Sequence, residues 1–179
     1  MDMRLNHTRI VCDSPCGVCR SQFIVEGDVM LPGSLRETTH VLHASAMAVP
    51  ERTEAMQDRI SVSGRTVFCV LYTQGEKTEV ESIEASADFT HLCDLPGASS
   101  HAEVDAFLQV EQVDARVQSG RMTMRAVIRM CASAVNSEEA EVISAVDADG
   151  AQLRTAKVKT RRRVGRGDGE VLLREEFPL

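Results

Sequence analysis

The stretch Val104-Asp-Ala-Phe-Leu-Gln-Val110, continued by Glu111-Gln-Val113-Asp-Ala-Arg-Val117, Gln118-Ser-Gly120 and Arg121-Met-Thr-Met-Arg-Ala-Val-Ile-Arg-Met130, decides the fold class. Val104, Ala106, Leu108 and Val110 alternate with polar neighbours, which is the period of a strand with one face buried. After Val110 the phase slips by one residue, and Val113, Ala115 and Val117 carry it on. A single slip inside such a pattern predicts a β-bulge. Ser119-Gly120 reads as a turn, and Met122, Met124, Ala126, Ile128 and Met130 then alternate with Arg121, Thr123, Arg125 and Arg129. Two alternating runs joined by a Gly-containing turn predict an antiparallel hairpin.

The same period recurs outward from this hairpin. Strands are expected over Gln22–Leu31, Arg59–Thr73, Lys77–Phe89, Glu141–Asp147, Gln152–Val164 and Glu170–Phe177, with turns at Gln74-Gly75 and at Asp147-Ala-Asp-Gly150. Val67-Phe-Cys-Val-Leu-Tyr72 is apolar on both faces and predicts a central strand. Helix is expected only in short pieces. Ser34 with Glu37 matches a capping box for a helix over Leu35–His43, and Pro50–Gln57 is read as a further turn or two. The expectation is a mainly β chain: an antiparallel β-sandwich or partly open barrel with one or two short helices. Residues 1–20 read as a Cys-rich arm, 21–164 as the β domain, and 165–179 as a glycine hinge with a C-terminal strand.

Composition narrows the function classes. The chain has 179 residues, 43% hydrophobic and 26% charged, as expected of a globular protein with a core. Aromatics are scarce, so Val, Leu, Ile, Ala and Met must fill that core, and stacking platforms for bases or sugars are poorly supplied. A net charge of −7 argues against nucleic acid and anionic membranes as partners. Lys157, Lys159, Arg161, Arg162, Arg163 and Arg166 are concentrated near the C-terminus, while Glu51, Glu54, Glu76, Glu79, Glu81 and Glu84 make the middle acidic. The segregation reads as a solvated face, or as a basic strand of one copy meeting the acidic surface of another. No apolar run approaches the ~18–20 residues of a membrane span, and the N-terminus has no hydrophobic signal core, so synthesis in the cytoplasm is expected.

Several landmarks in order resemble a known family: Ser21-Gln-Phe-Ile-Val-Glu-Gly-Asp-Val-Met-Leu-Pro32, Leu35 to Ala46, Val62-Ser-Gly-Arg-Thr-Val-Phe-Cys-Val-Leu-Tyr72, Phe89-Thr-His-Leu-Cys-Asp-Leu-Pro-Gly97, and Val113 to Val117 with Gly120-Arg121. Over roughly Ile10 to Val164 the chain is similar to the SPOCS domain of spore-associated proteins. The resemblance implies a role in spore-coat morphogenesis, in the mother cell and then at the spore coat or spore surface, and it carries no catalytic residues. Some members of that family end in a LysM module that recruits a coat ATPase. This chain shows no LysM-like tail, and after Pro32 it has Gly33-Ser-Leu-Arg-Glu37 where the family has a Lys-Pro-Asp element.

Cys12, Cys16 and Cys19 have the C-x₃-C-x₂-C spacing of radical iron–sulfur enzymes, but those require a βα barrel that the strand pattern denies. Zinc on Cys16 and Cys19 with His7 lacks a second knuckle. The preferred reading is inter-subunit disulfides through Cys12, Cys16 and Cys19 in an oxidising environment, set against free thiols in a reducing one. Cys69, Cys93 and Cys131 read as small core residues. His40 and His43 read as ordinary polar residues, and a nucleophilic pairing of Cys93 with His91 or His101 is disfavoured by strand geometry. Gly165-Arg-Gly-Asp-Gly169 reads as a hinge, since a strand rather than a helix is expected after it. The resulting expectation is a non-enzymatic assembly protein without cofactors, a homo-oligomer or partner of other envelope proteins. Glu170, Val171, Leu172, Leu173, Arg174 and Phe177 form the strand to be added to a neighbour's sheet. The alternative is an adaptor that docks another envelope protein through its sheet edge.

Overall fold

The computed structural model describes residues 3–31, 39–75, 79–148, 150, 152–165, 167, 169, 171, 172 and 174. Six strands occur in chain order: β1 (Met3–Met30), β2 (Thr39–Met56), β3 (Arg59–Gln74), β4 (Val80–Asp94), β5 (Glu103–Gln118) and β6 (Arg121–Ala148). They form two antiparallel three-stranded sheets, ordered β1-β6-β5 and β2-β3-β4, which do not close into a barrel. The expected β-sandwich is observed. The expected short helices are not. Thr39–His43 belong to β2, residues 35–38 lie outside the described ones, and Pro50–Met56 continue the strand. The reason is pairing: β2 lies against β3 from Thr39↔Gln74 to Met56↔Arg59, and that ladder outweighs a local capping signal.

The chain divides into two compact units, residues 14–136 and residues 1–13 with 137–179. In the first unit, the two central strands supply the core. On β3 the even positions Ile60, Val62, Thr66, Phe68, Val70 and Tyr72 are buried, and on β6 so are Met122, Met124, Ala126, Ile128, Met130, Ala132 and Ala134. Unbranched methionine fills irregular gaps where aromatic rings are lacking, which is how so aromatic-poor a chain closes a core. The outer face of β6 is basic and meets the acidic face of β1: Arg121 pairs with Asp28 at 2.9 Å, Arg125 with Glu26 at 3.7 Å, and Arg129 reaches Glu111 of β5.

The hairpin read first is present in detail. β5 and β6 pair from Val117↔Met122 to Val104↔Ala134, and the register shifts between Val110 and Gln112, so Glu111 is the bulged residue. Ser119 and Gly120 have φ of 53° and 77°, the two positive values of a tight primed turn. The connector from β4 to β5, which crosses between the sheets, is held at both ends. Asp58 in the β2–β3 turn accepts from the Gly97 amide through Oδ1 at 2.8 Å, donates its own amide to the Ala98 carbonyl and accepts at its carbonyl from the Leu95 amide, both at 2.9 Å. Asn136 of β6 donates to the Gly97 carbonyl at 2.9 Å and accepts from the Ser99 hydroxyl at 2.8 Å.

In the second unit the expected strand over Gln152–Val164 is not formed. Residues 152–165 have no regular structure, and Val158 and Val164 are exposed. The physical reason lies in the sequence: Leu153, Val158 and Val164 are too widely spaced to give one face a continuous apolar row, and the cations between them favour water. The segment is tied instead by single contacts, with the Asp13 amide donating to the Arg161 carbonyl at 2.9 Å and the Arg163 amide to the Asp13 carboxylate. Of the expected C-terminal strand, Val171, Leu172 and Arg174 are described and are not in a strand, whereas Glu170, Leu173 and Phe177 lie outside the described residues.

Two substitutions test this packing. Gly64 lies under the bulge of β2, where the register jumps from Pro50 to Arg52. A Cβ there would sit 2.1 Å from the Val49 carbonyl oxygen and 2.9 Å from the Pro50 Cα, so only backbone movement could admit it. Gly64→Ala is expected to lower unfolding free energy by about 3 kcal/mol in urea titration. The Thr66 hydroxyl is buried and has no hydrogen-bond partner among the described residues. Thr66→Val, which keeps the shape and removes that group, is expected to raise stability by about 1 kcal/mol in the same assay.

Candidate functional site: the seam between β1 and β4

β1 and β4 are outer strands of different sheets, so no ladder joins them. Their odd-numbered side chains meet instead. The position of a Gly17 Cβ would touch Leu95 at 3.5 Å. Cys19 lies beside Cys93. Ser21 Oγ is 2.9 Å from His91 Nε2. Phe23 packs on Phe89 with ring centroids 5.2 Å apart, and Gly27 leaves room for Phe68 and Ala87. Each step of two residues up β1 is matched by a step of two down β4 through the first four of these pairs. That is the periodicity of two pleated strands running antiparallel, joined by side chains rather than by main chain.

The chemistry of the seam follows from burial. Phe23 also stacks on the His91 ring at 4.4 Å and 15°. Desolvation by this packing lowers the His91 pKa below its ordinary value, so the ring stays neutral at neutral pH. A neutral ring has one acceptor nitrogen, which suits it to receive the Ser21 hydroxyl proton in a hydrogen bond. Among the described residues no carboxylate hydrogen-bonds its other nitrogen, so the orienting member of a nucleophilic triad is not in place. Cys19 is 7% exposed and Cys93 8%. Burial, with the hydrogen bond and charge of Cys93 behind it, pushes the Cys19 thiol up to about 12, which keeps it protonated and unreactive while β1 is seated.

The cysteines read from the sequence as one cluster are therefore divided. Cys19 is a core residue against Cys93, out of reach of a neighbouring molecule. Cys16 is half-buried, its Sγ 3.9 Å from the Ser14 carbonyl oxygen, and Cys12 is half-buried in the other unit. Cys93 is a core residue, as its strand context implied, whereas Cys69 and Cys131 are half-buried. No group of three or more His, Cys, Asp or Glu side chains placed to hold a metal occurs among the described residues. No helix among them is long and apolar enough to cross a membrane. Of the candidate added strand, Val171 and Leu172 are 81% and 90% exposed. The Ser21–His91 and Phe23–Phe89 pairs were missed in the sequence, although alternate positions Cys19, Ser21, Phe23 and Val25 carried a signal once set against Phe89, His91 and Cys93.

The acid response of the seam has a definite sign. The unfolded chain protonates His91 near 6.5 and the folded chain only at lower pH, so below that value unfolding takes up a proton and stability falls. The melting temperature should drop on acidification from about pH 7 to pH 5, and His91→Phe, which keeps the stack, should flatten that part of the curve relative to the parent.

Comparison with known proteins agrees with the resemblance over a narrower span. Residues 38–118 match the family model described as SipL, SPOCS domain, a stretch that holds β2, β3, β4 and β5. The match points to a sporulation-associated role. No curated protein and no solved structure shows significant similarity to the chain.

Proposed function

We propose that this chain, which carries a SPOCS domain over residues 38–118, is a non-enzymatic structural protein of the spore envelope that associates with copies of itself by β-strand addition. The observation that supports the reading is the exposure of Val171 and Leu172, at 81% and 90%, in a segment of strand-forming composition that the described structure leaves outside both sheets. Apolar residues held in water gain by finding a sheet edge, and two open sheets offer edges. A segment given by one copy to the next is a heterologous contact, and such contacts propagate without closing. Main-chain hydrogen bonds would supply the affinity, and the alternation of Val171 and Leu173 against Leu172 and Arg174 the register. The exposed cations Lys157, Lys159, Arg161 and Arg162 just before it would meet the acidic surface of the next copy. Cys12 and Cys16 are the cysteines this reading leaves for cross-links between copies. The protein would be made in the mother-cell cytoplasm and laid down at the spore surface.

Light scattering on the purified chain, with and without reductant, tests the reading against a variant that ends at Gly165. The expected result is a large assembly for the full chain, weakened by reductant, and a monomer for the shortened one. A shortened chain that assembles equally well would remove the role of the last segment. A monomer in every condition would favour an adaptor that docks a different envelope protein.

A further inference from the structure

The seam contains two thiols that the assembly reading does not use. Cys19 of β1 and Cys93 of β4 are buried side by side among the core residues. They stand at matching positions of two strands that share no main-chain hydrogen bonds, one in each sheet. Neighbouring pairs on either side, Gly17 with Leu95 and Ser21 with His91, hold the two backbones at side-chain distance. We infer that Cys19 and Cys93 form a redox site, which a low-molecular-weight disulfide closes into an intrachain bond that fastens the edge of one sheet to the edge of the other.

The step balances as two thiol–disulfide exchanges. One of the two protein thiols loses its proton to solvent, and its thiolate attacks a sulfur of the small disulfide. One protein–small-molecule S–S bond forms as the small disulfide breaks, and one small thiolate leaves. The second protein thiol then loses its proton, attacks the protein sulfur of that mixed disulfide and expels the other small thiolate. Two protein S–H bonds are replaced by one S–S bond, and the small disulfide is reduced by two electrons to two thiols that take up the two protons. The protonated, buried state of Cys19 makes this slow while the seam is closed. Opening of β1, an edge strand, admits the oxidant, so the bond forms at the rate of local opening and then opposes it. The chemistry is within one copy and independent of whether copies assemble.

The test uses the full chain, reduced, then held with excess oxidised glutathione, quenched by alkylation and mapped by peptide mass. The expected product is a peptide joining Cys19 to Cys93, in a chain whose mass has fallen by two hydrogens. Closing a loop of about 75 residues should raise the melting temperature by on the order of 10 °C, and reductant should reverse the rise. Cys93→Ala should abolish both changes, and the double variant Cys12→Ala with Cys16→Ala should keep them. Phe23→Ala, which loosens the seam, should speed the oxidation. A link mapped to Cys16–Cys19 or between two chains would overturn the inference. So would full alkylation of Cys19 and Cys93 after oxidation carried out in mild denaturant, where β1 opens freely. Should Cys93→Ala fail to fold, the mapped link in the parent chain decides alone.

Discussion

The structure depends on how β1 is held. It pairs with β6 on one side within its own sheet, where Asp28 and Glu26 also meet Arg121 and Arg125. It reaches β4 on the other through the stack of Phe23 on Phe89 and His91. The second contact does what the ladder with β6 does not: the ladder fixes β1 in its own sheet, whereas the desolvated aromatic stack joins it to the other sheet with both area and geometry. It is one of two edges at which the sheets meet over a shared core, β2 and β5 approaching each other at the opposite one. A three-stranded sheet with one apolar face is stable only when that face is covered.

The division of labour between the strands follows from the same constraint. β3 and β6, central in their sheets, carry the fully buried rows, Ile60 to Tyr72 on β3 and the methionines and alanines of Met122 to Ala134 on β6. The outer strands β1 and β4 largely alternate exposed and half-buried positions and bear the polar chemistry. The connector between β4 and β5 must cross from sheet to sheet, and its amides and carbonyls are satisfied by Asp58 and Asn136, one from each sheet. Backbone that leaves a ladder needs such partners wherever water is excluded.

The fold was legible where local pattern and pairing agree. The β5–β6 hairpin, its turn at Ser119-Gly120 and the bulge at Glu111 all follow from alternation and one phase slip. The central position of β3 follows from a run that is apolar on both faces. The reading failed where local signals point one way and pairing the other, as at Thr39–His43, which a capping pattern drew toward helix and β3 drew into the sheet. It failed again over Gln152–Val164, where alternation suggested a strand that has no continuous apolar face to bury. The seam was invisible for a different reason. Ser21 and His91 are separated by most of a sheet in sequence, and only the topology shows that odd positions of β1 and β4 face one another. The cysteines were grouped by proximity in sequence, whereas burial and the β1–β4 register separate Cys19 from Cys12 and Cys16.

The central claim is that side chains of β1 and β4, without a main-chain ladder, close the core. A double-mutant cycle on Phe23 and Phe89, each changed to Leu, measures it most directly. Leucine keeps most of the apolar volume, so the coupling free energy reports the ring contact and the positioning that depends on it. Equilibrium unfolding of the four proteins is expected to give a coupling of about 1 kcal/mol in favour of the native pair. Additive losses, with no coupling between the two positions, would contradict the account and leave the ladder with β6 as what holds β1.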